Sequence, residues 1–350
     1  MELNKRVAAF DKLGQALRTT FGNGNTIFSS DEQQLLEKLK TEVAHARLYN
    51  AWFTEDFVKY ALLSLGESLK RENLDRWLAK YDFPNTREKT VGVVMAGNVP
   101  VVGFHDFLSV LVSGHRLQAK LSSDDNRLLP ALANLVVAFE PAFADVINFT
   151  EERLHDFDAI IATGSNNTSR YFEYYFGKYP HIIRKNRNGI AVLTGDETSK
   201  QLDSLADDVF LYYGLGCRNV SKIFVPKDYD FTPLLDVFAS RKKVAENHKY
   251  FNNYEYNKAI YLVNSRPHFD SGNLLLVKDE GFASPVSVLN YEYYSNLQDV
   301  RNLIAVHQDK IQCVLTKAEI KGSFPLGMSQ NPALWDYADG VDTLAFLQAL

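Results

Sequence analysis

The chain has 350 residues, 46% of them hydrophobic and 23% charged, and a formal net charge of −5. These values exclude a disordered chain, a collagen-like chain and a coiled-coil rod, and the acidic balance argues against a nucleic-acid partner. Two cysteines are too few for a disulfide framework, the N-terminus lacks a signal-peptide core, and no apolar run reaches the ~18 residues of a membrane span. The expectation is a cytoplasmic protein without integral membrane contact, built as one large domain or two ordinary ones.

The first ninety residues read as helices. Apolar residues at Val7, Ala8, Phe10, Leu13 and Leu17 recur at helical spacing, and Ser29, Ser30 and Asp31 offer caps to a helix starting near Glu32. Residues 53–60 and 61–78 continue the pattern. From Lys89 the texture changes. Short β-branched runs at 90–95, 118–121, 146–149, 158–162 and 189–193 alternate with helix-like stretches at 102–112, 128–139 and 168–176. This spacing predicts a parallel α/β sheet. The alternation restarts after Gly195 with a helix over 202–213, a strand at 222–225, a mainly helical stretch over 229–245, and strands at 274–277, 286–289 and 311–315. No repeat, low-complexity segment or flexible linker interrupts the chain, so two lobes are expected, with a ligand site in the cleft between them.

A complete G-x-G-x-x-G, a P-loop, a G-x-S-x-G elbow and H-E-x-x-H are all missing from the sequence. The eight histidines show no metal-ligand spacing, so no metal site is expected. Cys217 ends Gly214-Leu-Gly-Cys217 between a helix and a strand, where backbone N–H groups can activate a thiol and bind an oxyanion; it reads either as a nucleophile or as a buried structural cysteine. Cys313, inside an apolar strand, reads as structural. Asn98, in Ala96-Gly-Asn-Val-Pro100 after a strand, is a turn residue or an oxyanion donor. Gly164 and Ser165, between a strand and a helix, form an N-cap or a phosphate site. Lys120, at a strand end, reaches a ribose or phosphate, or is solvated.

The order of these pieces is more informative than any one of them. Strand-Gly-Asn-x-Pro, strand-Lys, strand-x-Thr-Gly-Ser, a strand preceded by a Gly-containing turn and helix-Gly-x-Gly-Cys together resemble the aldehyde dehydrogenase superfamily. Gly97-Asn-Val-Pro100 and the segment from Gln330 to Asp342 place the resemblance nearer the LuxC-type acyl-CoA reductases, over residues 90–342. The resemblance implies an aldehyde-dehydrogenase-like α/β fold: an N-terminal helical region over 1–88, a dinucleotide-binding lobe with a parallel sheet over 89–195, a catalytic lobe carrying Cys217 over 196–324, and a segment over 325–350 returning to the cofactor lobe or to a neighbouring subunit. It implies Cys217 as nucleophile, Asn98 as oxyanion donor, and Lys120, Ser123, Gly164, Ser165 and Glu280 as cofactor contacts.

Two departures from the superfamily pattern carry information. The glutamate that activates water in acid-releasing members would fall in Arg184-Lys-Asn-Arg-Asn188, which contains no acid. The glutamate that binds the adenosine ribose diol is replaced by Ser123, which makes NADPH acceptable beside NADH. The resemblance therefore implies an acyl-CoA reductase that turns a (fatty) acyl thioester into an aldehyde through a Cys217 thioester. The alternatives are a CoA-acylating aldehyde dehydrogenase working in the oxidative direction and a non-catalytic cofactor-binding subunit. An acyl-CoA partner and a homodimer or larger homo-oligomer are compatible with the pattern. The aromatic stretches over 171–179 and 250–261 line a lipid tunnel or serve as ordinary packing.

Overall fold

Side-chain caps start α-helices at Ser29, Ser165, Thr198, Asn247, Asn296 and Asp342 in a computed structural model that describes residues 1–83 and 88–350. Residues 84–87, inside the expected 1–88 helical region, lie outside the described residues. The chain divides into two compact units, Met1–Lys185 with Ala333–Leu350, and Asn186–Pro332.

In the first unit α1 (Leu3–Phe21), α2 (Ser30–Tyr49), α3 (Glu55–Ser68) and α4 (Arg71–Leu78) precede the sheet. A reciprocal capping box starts α2: the Glu32 amide donates to Ser29 Oγ at 3.4 Å and the Ser29 amide to Glu32 Oε2 at 2.8 Å. Then come β1 (Thr90–Val94), α5 (Phe104–Ser113), β2 (Arg116–Lys120), α6 (Leu128–Phe139), β3 (Ile147–Thr150), β4 (Ala159–Thr163), α7 (Asn166–Phe176) and β5 (His181–Arg184). The five strands are all parallel, in the order β3-β2-β1-β4-β5. β1 is buried through its centre, which is why its sequence is a continuous apolar run rather than an alternating one. The N-terminal helices pack on α5 and α6, where Phe10 meets Phe104, Phe107 and Phe143 edge-on at 5.7–6.3 Å between ring centres.

The second unit runs β6 (Asn188–Val192), α8 (Ser199–Phe210), β7 (Val220–Pro226), α9 (Thr232–Ser240), α10 (His248–Val263), β8 (His268–Asp270), β9 (Leu275–Lys278), β10 (Val288–Tyr294), α11 (Leu297–Val306) and β11 (Ile311–Thr316). Its six-stranded sheet has the order β11-β6-β7-β10-β9-β8 and is parallel except for β8 against β9. The chain returns to the first unit with α12 (Thr343–Gln348), which packs on α5. The returning segment is tied down by polar contacts: Trp77 Nε1 donates to the Tyr337 hydroxyl at 2.8 Å, and His115 Nε2 meets the Leu347 carbonyl at 2.9 Å.

The mixed α/β class with parallel sheets and N-terminal helices agrees with the sequence reading. Strand β6 was expected beside the first sheet but pairs with β7 and β11 in the second. An apolar run does not by itself name its partner. Gly189 does: a Cβ there would stand 2.5 Å from the carbonyl oxygens of Arg218 and Asn219, an approach only glycine permits. The tyrosine-rich stretches act as packing and surface. Tyr250, Tyr254 and Tyr261 of α10 are buried, the last two against Leu275, Val277 and Val288, while Tyr171, Tyr174 and Tyr175 of α7 are exposed.

Candidate active site

In the first unit the strand order reverses between β1 and β4, the switch point at which open parallel sheets bind ligands beyond their carboxyl ends. Val94 is in register with Lys120 on one side and Ala162 on the other. The residues that follow these three positions are therefore delivered to one end of the sheet. Asn98 follows β1 and is exposed; Lys120 ends β2 half-buried, with Ser123 exposed beyond it; Gly164 and Ser165 follow β4. The Ser165 hydroxyl caps α7, accepting the Thr168 amide at 3.1 Å. Gly164 lets the turn close on that helix, since a Cβ would meet Phe172 at 2.9 Å. The sequence reading of this pair as an N-cap thus describes the hydroxyl, and the first amides of α7 form the helix end that an anion would meet.

The second unit holds Cys217, which is exposed. The turn leading to it passes through three successive left-handed residues, Tyr212, Tyr213 and Gly214, at φ 52°, 58° and 74°. Two tyrosines there store strain of about 1–3 kcal/mol each, sustained only where surrounding contacts over-determine the backbone. Buried Asn219 supplies those contacts. Its amide nitrogen donates to the Asp208 and Leu211 carbonyls, both at 2.9 Å, and its oxygen accepts the Gly216 amide at 2.8 Å. Beyond Cys217, Arg218 Nε donates to the Ser329 carbonyl at 2.5 Å, while the Asp208 carboxylate takes the amides of Gly327 and Ser329 at 2.5 and 3.0 Å. Burial holds the Asp208 carboxyl above its usual range. Cys313 is buried against the Arg218 carbonyl and burial pushes its thiol up to about 12, so it stays protonated and inert.

Glu280 is exposed on the connection after β9, and the backbone there is held from the neighbouring strands. Fully buried Lys222 donates to the Glu280 carbonyl at 2.7 Å and to Glu292 at 2.6 Å, between the rings of Phe224 and Phe282. The Ser221 hydroxyl donates to the Phe282 carbonyl at 2.7 Å, and the Asn290 amide nitrogen to those of Gly281 and Ala283 at 3.0 and 3.1 Å. The acid-free segment 184–188 is occupied by packing roles: Arg184 pairs with Asp106 at 2.5 Å, Arg187 bonds the Gln308 carbonyl and Asn188 that of Lys310.

Asn219, Gly189 and Lys222 were not singled out by sequence reasoning. Asn219 lies two residues beyond the cysteine and reads as one more turn residue. Lys222 is a lone cation in an apolar strand, a signal that asks for a buried partner but does not say which. Among the described residues no group of three His, Cys, Asp or Glu side chains is placed to hold a metal ion, and no helix is long and apolar enough to cross a membrane.

Residues 30–234 match the family model described as acyl-CoA reductase (LuxC). The chain belongs to the LuxC family. The matched span begins in α2, ahead of the motifs, and contains both Asn98 and Cys217. None of the curated proteins matches the LuxC-family chain significantly. Among solved structures, aldehyde dehydrogenase 21 from Physcomitrella patens, determined with the product succinate, is 12% identical with a TM-score of 0.65, covering 100% of this chain and 84% of that one. Glyceraldehyde-3-phosphate dehydrogenase GapN from Methanocaldococcus jannaschii, complexed with NADP, is 14% identical at a TM-score of 0.60, over 90% and 76%. An NADP-dependent enzyme from E. coli is 14% identical at 0.59, over 91% and 75%. The LuxC-family chain therefore has an aldehyde-dehydrogenase-like fold, and its family is one of oxidoreductases.

Proposed function

We propose that this LuxC-family protein is an acyl-CoA reductase that converts a (fatty) acyl thioester into an aldehyde with NADPH, through a thioester on Cys217. The observation that carries the reading is an exposed cysteine at the end of a strained, side-chain-clamped turn, inside the span that matches the family. An inert structural thiol has no need of exposure, as buried Cys313 illustrates.

A nicotinamide dinucleotide fits the residues of the first unit. The sheet reverses order between β1 and β4, α7 starts just beyond β4, and Lys120 offers a cation at the end of β2, on the other side of β1. Gly164, Ser165, Lys120 and Ser123 would hold it there, and Glu280 is proposed as a further cofactor contact. The neutral Ser123 does not repel a 2′-phosphate, which makes NADPH acceptable beside NADH.

In the reaction, the Cys217 thiolate attacks the thioester carbonyl carbon. The Asn98 side-chain amide and the Cys217 backbone N–H stabilise the resulting oxyanion; removal of one such donor typically costs ~10²–10³ in rate. The C–S bond to CoA breaks, and CoA leaves as a thiolate whose thiol pKa is about 8.5 by analogy with cysteine, so no strong general acid is needed. A reduced nicotinamide, when bound, supplies the hydride that turns the acyl-enzyme into a thiohemiacetal. Collapse of that adduct releases aldehyde and returns the Cys217 thiolate. The lack of a carboxylate in 184–188 supports transfer rather than hydrolysis of the acyl group.

The test is the intact mass of the protein after incubation with palmitoyl-CoA alone, for the wild type and Cys217→Ala. An acyl adduct on the wild type only, released as aldehyde when NADPH is added, is the expected result. No adduct with short, long or aromatic acyl-CoAs would overturn the covalent mechanism.

A further inference from the structure

The segments that follow β1 and β2 are interlocked. Pairing of the two strands continues one step beyond β1, with the Met95 amide donating to the Lys120 carbonyl at 3.0 Å. The chain then turns through 97–101 on one side and 121–125 on the other, and the turns touch: a Cβ at Gly97 would stand 2.6 Å from Ser122 Oγ, 2.7 Å from Ser122 Cβ and 3.1 Å from the Asp125 amide. The first turn carries Asn98. It closes at Val101, a β-branched residue in the left-handed region at φ 52°, which does not rest there unaided. The Val101 amide donates to Asp125 Oδ2 at 2.7 Å, and the same carboxylate takes the amide of Leu128 at the start of α6. One side chain thus ties the strained end of the Asn98 turn to the segment carrying Lys120 and Ser123.

We propose that Asp125 is a positioning residue for the oxyanion donor: its ionised carboxylate holds the Asn98 turn in place through Val101. The proposal rests on the assignment of Asn98 made above. A carboxylate is a stronger acceptor for an amide than a neutral oxygen, so the turn is held best when Asp125 is charged. Burial opposes that charge and pushes the carboxyl up to about 6. Few charges offset the effect. The ionisable groups lining the adjoining cavity are Glu42 and Tyr49 of α2, and Asp124 and Arg127 of Asp125's own segment. Arg127 is directed elsewhere, 3.9 Å from Glu42 and over the Tyr49 ring at 3.8 Å. The 97–101 turn brings no ionisable side chain.

The measurement is the rate of Cys217 acylation by palmitoyl-CoA, followed by mass in single turnover from pH 5 to 8. Four proteins are compared: wild type, Asp125→Asn, Asn98→Ala, and the double variant. The expected wild-type profile has an acid limb near pH 6. Asp125→Asn keeps an acceptor oxygen but no titrating group, so that limb disappears and the plateau falls roughly three- to ten-fold. Asn98→Ala slows acylation ~10²–10³-fold and also loses the limb. Asp125→Asn added to Asn98→Ala costs nothing further, because Asp125 acts through Asn98. A limb that persists in Asp125→Asn or in Asn98→Ala, or additive losses in the double variant, overturns the proposal. Full activity in Asn98→Ala instead overturns the assignment of the oxyanion donor. Should Asp125→Asn fail to fold, the presence or loss of the limb in Asn98→Ala decides alone.

Discussion

Replacing Arg184 with methionine should destabilise the first unit severely, and a second replacement should repair it. Arg184 and Asp106 face each other with side chains only 7% and 8% exposed, at 2.5 Å, and Arg184 also reaches Thr343 Oγ1 of the returning segment at 3.1 Å. Removing the guanidinium leaves the Asp106 carboxylate buried without its cation, which typically costs ~3–5 kcal/mol. For a unit of roughly 200 residues, 1 kcal/mol moves Tm by about 2–4 °C, so Arg184→Met should lower Tm by about 6–20 °C. Removing both charges together, as Asp106→Leu with Arg184→Met, restores most of that loss, because an apolar pair of similar volume pays no desolvation. All three tryptophans, Trp52, Trp77 and Trp335, belong to this unit, so fluorescence-detected melting reports it selectively. A single variant melting within about 2 °C of wild type, or a double variant no more stable than the single, would refute the reasoning.

Three further outcomes are expected. Asn219→Ala orphans the Asp208 and Leu211 carbonyls and the Gly216 amide; urea titration should show a loss of about 2–3 kcal/mol, with Cys217 acylation slowed about ten-fold, and unchanged acylation would contradict the clamp. Lys222→Met should raise the concentration of NADPH needed for half-maximal rate about ten-fold, with partial rescue by Lys222→Arg, since the cation holds the Glu280 carbonyl; equal effects of methionine and arginine would exclude that role. His115 is held below the usual histidine range, chiefly by burial, and its Nδ1 accepts the Lys89 amide at 3.2 Å, a bond that protonation there destroys. The unfolded chain therefore binds more protons below about pH 6.5, and stability falls as pH drops through that window, a trend shared by His105, which desolvation also holds below its usual range. In His115→Gln melts between pH 7.5 and 5.5, this acid slope should lessen; an unchanged slope would assign it elsewhere.

Much of the fold was legible because its strands are short apolar runs bounded by turn residues. α6 coincides with its reading, β1 ends one residue earlier than read, and β4 is shifted by one residue. β5 was not legible: His181 and Arg184 make a four-residue strand look polar, and Arg184 is buried only because α5 presents Asp106 to it. α10 escaped for another reason. Aromatic residues lie on both its buried and exposed faces, leaving almost no amphipathic signal, and the Asn247 cap is its clearest local mark. The candidate site divides in the same way. Gly-x-Gly-Cys announces a turn with a thiol at its end. What locks that turn is the buried Asn219 side chain, whose partners reach back to Asp208, and what locks the Asn98 turn is Asp125, 24 residues downstream of Val101. Local pattern carries no trace of such pairings.

The return of the last residues to the first unit has a consequence for biosynthesis. As the chain leaves the ribosome, the segment 186–332 is contiguous and acquires every strand of its sheet before residue 333 is made. The earlier segment waits: until the final residues emerge, Trp77 has no Tyr337, His115 no Leu347 carbonyl and Arg184 no Thr343. The unit begun first is thus completed last, and released chains that end just past residue 332 should pair a protease-resistant later segment with a labile earlier one.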